Sequence, residues 1–255
     1  MRQLTVAFLA IAVLSLVGCG GPAKIKTIPM QPAAIPTVTA TVGPLTFNQH
    51  VALLNPSLQR YVKRLYLDYS KSLWQPRPWS KLDAYIKATH EKAEKQYKFD
   101  DPMTDKEIKE LAYGVIAYSA KWKSDMDWNV SYISHESGWL DIIGDKINKK
   151  TKLPNPPSRL SLGQGQVQIA TASQDLKARG YNPDGLTIDD LLYFRLVNLD
   201  ISICVMSSYV KALGRKNGTK KYNAGNLWRD GRSNQYYKDV LTIYRHRNQW
   251  AEPTQ

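Results

Sequence analysis

The stretch MDWNVSYISHESGW, Met126 to Trp139, combines a helical pattern of apolar residues with one carboxylate near its end. In helical register, Trp128, Tyr132 and Ile133 share one face. Glu136 follows Tyr132 by one helical turn, which sets its carboxylate against these apolar neighbours. The stretch therefore predicts a helix that ends in a partly buried acidic side chain.

Two physical effects predict a raised pKa for Glu136. Burial disfavours the ionised carboxylate, and the last helical turn faces the negative end of the helix dipole. Gly138 is a plausible helix stop. A carboxyl that stays protonated near neutral pH at a helix-to-loop junction suits a general acid acting on a glycosidic oxygen. The alternative is a solvated glutamate on the protein surface.

The amino terminus predicts export and lipidation. A charged start precedes the apolar run Leu4 to Val17, which is too short for a dependable transmembrane helix. Residues 16–19, Leu-Val-Gly-Cys, resemble the lipobox of bacterial lipoproteins, so we expect a signal peptide over residues 1–18 and acylation of Cys19. The alternative is a plain signal peptide with a chance cysteine. Gly20 after Cys19 favours the periplasmic face of the outer membrane.

The cysteine count and the net charge limit which functions and partners are compatible with the sequence. Once Cys19 is acylated, Cys204 alone remains, and its apolar helical setting predicts a buried thiol rather than a nucleophile. The formal net charge of +13 favours polyanionic partners such as nucleic acid, anionic lipid or carboxylate-bearing wall polymers. Export argues against nucleic acid. No zinc-ligand pattern occurs, and we expect neither a metal nor a cofactor.

The pattern of the remaining chain predicts an all-α protein. Residues 19–45 form a Pro-rich tether, residues 46–100 a helical extension, and residues 101–255 a second helical unit. No strand-period segment of any length is evident. Predicted helices begin after Asn55, at Ser80 and after Thr104, one spans Asp189 to Leu213 before a polar turn at Lys216 to Lys221, and the last covers Tyr236 to Tyr244.

Two segments without helical pattern look suited to a ligand. Residues 140–160 are polar and Pro-rich and predict a long loop of the kind that often forms a lid or a binding loop. The following segment, SLGQGQVQIATA at residues 161–172, has two glycines that let backbone approach a ligand. Its glutamines offer neutral amides that suit sugar hydroxyl and acetamido groups.

In order and chemistry, these pieces resemble the catalytic domain of soluble-type lytic transglycosylases, the glycoside hydrolase family 23 relatives of goose-type lysozyme. The resemblance covers about residues 104 to 246. Its motifs are Glu136-Ser137-Gly138, the Gly-Gln turn at residues 163–166 with Ala-Thr-Ala at 170–172, Asn198, Tyr-Asn-Ala-Gly at 222–225, and the closing Tyr236, Val240 and Leu241. The turn lacks the family's Leu-Met pair, the loop before it is longer, and Lys221 replaces a small residue.

The resemblance implies a lysozyme-like fold and cleavage of peptidoglycan between N-acetylmuramic acid and N-acetylglucosamine. Protonated Glu136 would donate to the glycosidic oxygen, and its carboxylate would then take the proton of the muramoyl C6 hydroxyl, giving a 1,6-anhydro product. A single carboxylate suffices, unlike the pair in most glycosidases. Carried over by motif, Ser137, Gln166, Tyr222 and Asn223 would hold the sugar and Glu136.

Three alternatives remain open from the sequence. In the first, water attacks instead, as in a lysozyme, and a second carboxylate activates it; of Asp141, Asp145 and Asp175, the loop residue Asp145 is the candidate. In the second, the chain is a catalytically weak lipoprotein that binds glycan strands during envelope assembly. In the third, a basic lipoprotein binds anionic lipid or DNA through charge alone.

Overall fold

The structure of the protein is a computed structural model, and it describes residues 45–73, 79–98, 100, 102–147, 152–230 and 233–250. The signal peptide, Cys19 and nearly all of the tether lie outside these ranges. Within them the chain is mainly α-helical, with nine α-helices and 72% helix, so the predicted helical class is confirmed.

The helices follow one another along the chain with short connections, except around a small β-hairpin. The hairpin pairs β1 (Ile143–Gly144) with β2 (Ser161–Leu162), antiparallel. Short 3₁₀ helices lie at Pro157–Arg159, Gly225–Asp230 and Arg247–Gln249. The helices are α1 (Phe47–Leu53), α2 (Pro56–Ser72), α3 (Ser80–Tyr97), α4 (Asp105–Lys121), α5 (Met126–Glu136), α6 (Ile169–Ala178), α7 (Ile188–Tyr193), α8 (Arg195–Ala224) and α9 (Asn234–Arg245).

Local capping explains where several helices begin. The Asn55 side chain accepts hydrogen bonds from the first amides of α2, and Pro56 occupies the first helical position. Thr104 and Glu107 form a capping box at the start of α4, where the sequence predicts a helix. These start signals act within a few residues, which is why the sequence alone predicted them.

The helices before residue 100 pack as part of the main body. All nine helices contribute to one hydrophobic core among the described residues. Tyr61 of α2 donates a hydrogen bond of 2.6 Å to Asp200 of α8, deep in that core. The expected helical extension is therefore integrated with the helices that follow it, and Pro44–Gln255 form one compact unit.

The helix predicted from Asp189 to Leu213 is wrong in its bounds. A break at Phe194 separates α7 from α8, and α8 continues past a kink at Gly214, whose φ is +74°, through the segment predicted as a polar turn. Helix α8 is long and apolar enough by composition to cross a bilayer, but most of its apolar stretch is buried within the protein. It is the central core helix.

The hairpin corrects the prediction that the chain lacks strands. Each strand is only two residues long, too short to show the alternation by which strands are recognised. A further bridge joins Ile147 to Pro154, and another joins Leu162 to Val167. The long loop after α5 is thus partly organised, and it forms one wall of a groove beside Glu136.

Candidate active site

Glu136 is the last residue of α5, and the turn that follows fixes its place. The Ser137 and Gly138 amides donate to carbonyls of the last helical turn, which ends the helix. Gly138 has φ of +60°, and a Cβ there would lie 2.5 Å from the Cβ of Ala93 on α3. Glycine is required at this position because both the backbone conformation and the close approach of α3 exclude a side chain.

The surroundings of Glu136 favour a protonated carboxyl. Burial, opposed by a hydrogen bond from Tyr236 and reinforced by the negative charge of Asp145, raises the pKa of Glu136 to about 7. The Tyr236 hydroxyl donates to Oε1 over 2.5 Å. The second oxygen, Oε2, has no hydrogen-bond partner among the described residues, which leaves it available to a ligand.

Glu136 lines a groove with a volume of about 630 Å³. Asp145 and Ser161 of the hairpin and Gln166 of the following turn line it on one side. The other lining residues are Val167, Gln168 and Thr171 after the turn, Val205, Tyr209, Lys221, Tyr222, Asn223 and Ala224 of α8, and Gly225 and Leu227 of the 3₁₀ helix that follows. A groove of this size admits a small ligand or a short stretch of a polymer.

The motif residues, far apart in sequence, meet at the Gly-Gln turn. The Ser137 hydroxyl donates to the Gln164 carbonyl at 2.9 Å. The Gly165 amide donates to Asn198 Oδ1 at 2.9 Å, and the Tyr222 hydroxyl donates to the Gly165 carbonyl at 2.6 Å. The end of α5 and the two parts of α8 on either side of its kink thus hold this turn beside the groove.

The glycines of this turn are required by close packing. A Cβ on Gly163 would lie 2.6 Å from Asn198 Nδ2, and one on Gly165 would lie 2.3 Å from the Cβ of Ser202. Both contacts are closer than real Cβ atoms tolerate. The glycines therefore allow the turn to pack directly against α8. The sequence predicted that they let backbone approach a ligand, but in the structure they let backbone approach a helix.

The four predicted binding residues have different positions. Ser137 is 1% exposed and its hydroxyl is engaged in the turn, so its role is to position the backbone rather than to contact a ligand. Gln166 and Tyr222 also line the groove, and the Gln166 amide donates to the Ile142 and Gly163 carbonyls while the Tyr222 hydroxyl donates to the Gly165 carbonyl. Asn223 lines the groove and is exposed.

Of the three acids near Glu136 in sequence, one faces the same groove. Asp141 is held by Arg195, whose Nε lies 2.6 Å from its Oδ2, and Asp175 pairs with Arg179. Asp145 lines the groove, and its Oδ2 accepts a hydrogen bond of 2.6 Å from Ser161. It is therefore the second carboxylate of the site.

Sequence reasoning missed the role of Tyr236. The sequence predicted Tyr236 as a member of the last helix and of the closing motif, but it predicted no contact between Tyr236 and Glu136. In the structure its ring packs edge-on against His135 and its hydroxyl reaches Glu136. The contact joins residues one hundred positions apart, so no local pattern could reveal it.

No group of three or more His, Cys, Asp or Glu side chains is placed to hold a metal ion anywhere in the part of the chain that the structure describes. Comparison with protein-family models, with curated proteins and with solved structures found no match to this chain.

Proposed function

We propose that the chain is a lytic transglycosylase with a lysozyme-like fold that cleaves the glycan of peptidoglycan between N-acetylmuramic acid and N-acetylglucosamine. The observation that carries this proposal is the Glu136 carboxyl, raised in pKa to about 7 and lining a groove at the end of α5. A carboxyl with that pKa is populated both as acid and as base near neutral pH, as a residue that serves in both roles requires.

The geometry suggests that the two carboxyl oxygens of Glu136 have different roles in the reaction. Tyr236 holds Oε1, which fixes the orientation of the carboxyl. The proton on Oε2 passes to the glycosidic oxygen as the bond to the anomeric carbon breaks. The same carboxylate then accepts the proton of the muramoyl C6 hydroxyl, whose oxygen attacks C1 and closes the 1,6-anhydro ring. Protons balance, and no water is consumed.

Support for the family resemblance comes from the convergence of its motifs. The residues that match the family at 137, 198 and 222 all bond the same turn, although the chain separates them widely. Chance motif matches would have no reason to meet in one network. The same groove presents Gln166 and Asn223, whose amides suit sugar substituents.

We further propose that the enzyme is a lipoprotein anchored through Cys19 at the periplasmic face of the outer membrane, where it reaches the peptidoglycan. The proposal rests on the lipobox-like residues 16–19 and on Gly20. Its partners would be glycan strands and the membrane, with no nucleic acid. Replacing Cys19 with Ser and fractionating cells tests it: the protein should leave the membrane fraction, and retention there would contradict the anchor.

A second candidate function is hydrolysis by attack of water. It is favoured by the presence of Asp145 in the same groove as Glu136, since a hydrolase needs a base for the incoming water. The hydrogen bond from Ser161 would orient that base.

The deciding experiment is mass spectrometry of the soluble products after the full chain, in mild detergent, acts on purified peptidoglycan. Products lighter by one water than reducing muropeptides support the transglycosylase. Reducing products support the hydrolase. Absence of products from folded protein that still binds the glycan would favour the envelope-assembly lipoprotein, and absence of both would contradict all three.

A further inference from the structure

A second cleft lies among α1, α2, α4, α7 and the start of α8, and we name it the Glu110 cleft after a carboxyl that lines it. Its volume is about 950 Å³, compared with about 630 Å³ for the groove beside Glu136, and no described residue lines both. Its aromatic and aliphatic lining residues are Phe47, His50, Tyr66, Tyr69, Leu73, Leu192 and Tyr193. A cleft of this size and lining suits a small organic ligand or one side chain of a larger ligand.

Glu110 on α4 presents one carboxyl oxygen to this cleft. The residue is only 6% exposed, and its Oε1 accepts a hydrogen bond of 2.7 Å from the Tyr66 hydroxyl. Its Oε2 has no hydrogen-bond or ion-pair partner among the described residues, and it is not enclosed by the fold. The arrangement repeats that of Glu136, in which Tyr236 holds one oxygen and the other is available.

The charges around the cleft leave a surplus of acid. The charged lining residues are Glu107, Glu110, Asp189, Lys106 and Arg195. Arg195 is already shared between two carboxylates, since its Nη2 lies 2.9 Å from Glu107 and its Nε lies 2.6 Å from Asp141. The cleft is therefore acidic in a chain whose formal net charge is +13, so its field favours a cation where most of the protein favours anions.

Burial leaves the ionised form of Glu110 incompletely compensated. It raises the pKa of Glu110, and the charge of Asp141 adds to this, while the Tyr66 hydrogen bond and the charges of Arg195 and Lys106 oppose it. Lys106 is exposed and forms no ion pair within the described part of the chain. A buried carboxylate gains most from a partner that brings both a positive charge and a hydrogen-bond donor.

The aromatic rings favour the same kind of ligand. The Phe47 and Tyr66 rings lie 4.7 Å apart between centroids, beside the carboxyl that Tyr66 holds. The Tyr193 ring stacks on His50 at 3.7 Å and remains partly exposed. Aromatic faces attract cations and also bury aliphatic chains.

We propose that the Glu110 cleft binds a primary ammonium group carried on an aliphatic chain. The ammonium donates a hydrogen bond to Glu110 Oε2, and the chain lies against the rings of Phe47, Tyr66 and Tyr193. This second site is independent of the proposed glycan chemistry, because none of its residues lines the groove beside Glu136.

The test is calorimetric titration of the full-length chain at pH 8 with four ligands of one chain length: n-pentylammonium, 1-pentanol, pentanoate and pentyltrimethylammonium. Pentylammonium should bind about tenfold more tightly than pentanol, because it adds a charged hydrogen bond. Pentyltrimethylammonium has the charge but no N–H to donate and should bind more weakly than pentylammonium, and pentanoate should not bind. Equal affinity for the amine and the alcohol overturns the proposal.

Two natural sources could supply such an ammonium, a free amine or a lysine-type side chain of a peptide. Nα-acetyl-lysine methylamide carries the same ammonium between two amides and separates them. Tighter binding than pentylammonium assigns the site to a peptide side chain, and weaker binding assigns it to a free amine. Binding of neither compound overturns the proposal.

Glu110→Gln locates the site, with Glu136→Gln as the matched control. Both changes neutralise a buried carboxyl that a tyrosine hydroxyl holds. Glu110→Gln should lose about tenfold in affinity for pentylammonium and nothing for pentanol, whereas Glu136→Gln should change neither. A loss in Glu136→Gln as large as that in Glu110→Gln places the amine in the other groove and overturns the proposal.

Tyr193→Leu keeps the proposal testable if Glu110→Gln does not fold. Tyr193 is 36% exposed, and leucine retains an apolar side chain without the aromatic face. The variant should lose about threefold in affinity for pentylammonium and less for pentanol. Equal losses for the two ligands, or no loss for either, contradict the assignment.

Discussion

Replacing Glu136 with Gln should stabilise the fold while it removes activity. The carboxyl has an ordinary pKa of 4.5 and is raised to about 7 in the folded protein, chiefly by burial. Glutamine has nearly the same shape and stays neutral, so it avoids the cost of holding a charge in this position. An acidic group kept in an unfavourable setting for catalysis commonly lowers stability in this way.

The magnitude follows from linkage between proton binding and folding. A carboxyl pKa raised from 4.5 to about 7 destabilises the ionised folded state by about 3 kcal/mol, which solvent access to a half-buried group reduces to about 2 kcal/mol. Below pH 4.5 the group is protonated in both states and the cost is absent. It grows as the pH rises from 4.5 to 7 and is constant above that range.

The assay is urea unfolding of the parent and Glu136→Gln proteins at pH 4 and pH 8, with Glu91→Gln, an exposed position on α3, as the matched control. The free energy of unfolding of Glu136→Gln should exceed that of the parent by about 2 kcal/mol at pH 8 and by almost nothing at pH 4. Glycan cleavage should fall by at least about a hundredfold. A stability difference that is the same at both pH values would refute the reasoning, as would substantial residual cleavage.

Three other substitutions test neighbouring parts of the argument. Tyr236→Phe removes a hydrogen bond that lowers the pKa of Glu136, so the alkaline limb of the profile of kcat/KM against pH should move above pH 7; a limb that stays or moves down contradicts this. Asp145→Asn should leave anhydro products forming within about threefold of the parent rate if the group is dispensable, whereas loss of all cleavage favours the hydrolase. Asp200→Asn should lower the free energy of unfolding at pH 7 by about 3 kcal/mol, because this fully buried carboxylate bonds Lys121 and Arg179; chemical denaturation with no such loss would show that the network is not stabilising.

The Asp200 network also explains why residues before position 100 belong to the main body. Burial opposes ionisation of Asp200, yet Arg179 and Lys121 hold its pKa below the ordinary value. Tyr61 from α2 and Trp122 from the end of α4 donate to the same carboxylate. The sequence predicted a helical extension over residues 46–100 but not its contacts, because helix patterns report which face is buried and not the helix against which it packs.

Much of the local structure followed from the sequence because its causes are local. The capping pairs at Asn55 and Thr104 and the glycine at 138 act within one helical turn, and each was found where it was expected. The break at Phe194 and the kink at Gly214 were missed. An apolar stripe continues through Phe194 and hides the break, whereas residues 214–221 beyond the kink are polar and show no stripe that would predict a continuing helix.

The sequence by itself determined the helical class, the place of Glu136 at a helix end and the reason to expect a raised pKa. Tertiary structure alone decided that Tyr236 bonds its carboxyl, that Asp145 rather than Asp141 shares its groove, and that Ser137 supports a turn. The physical reason is separation along the chain. Hydrogen bonds and charge interactions between distant residues depend on how helices pack, and that packing leaves no pattern in the sequence near either partner.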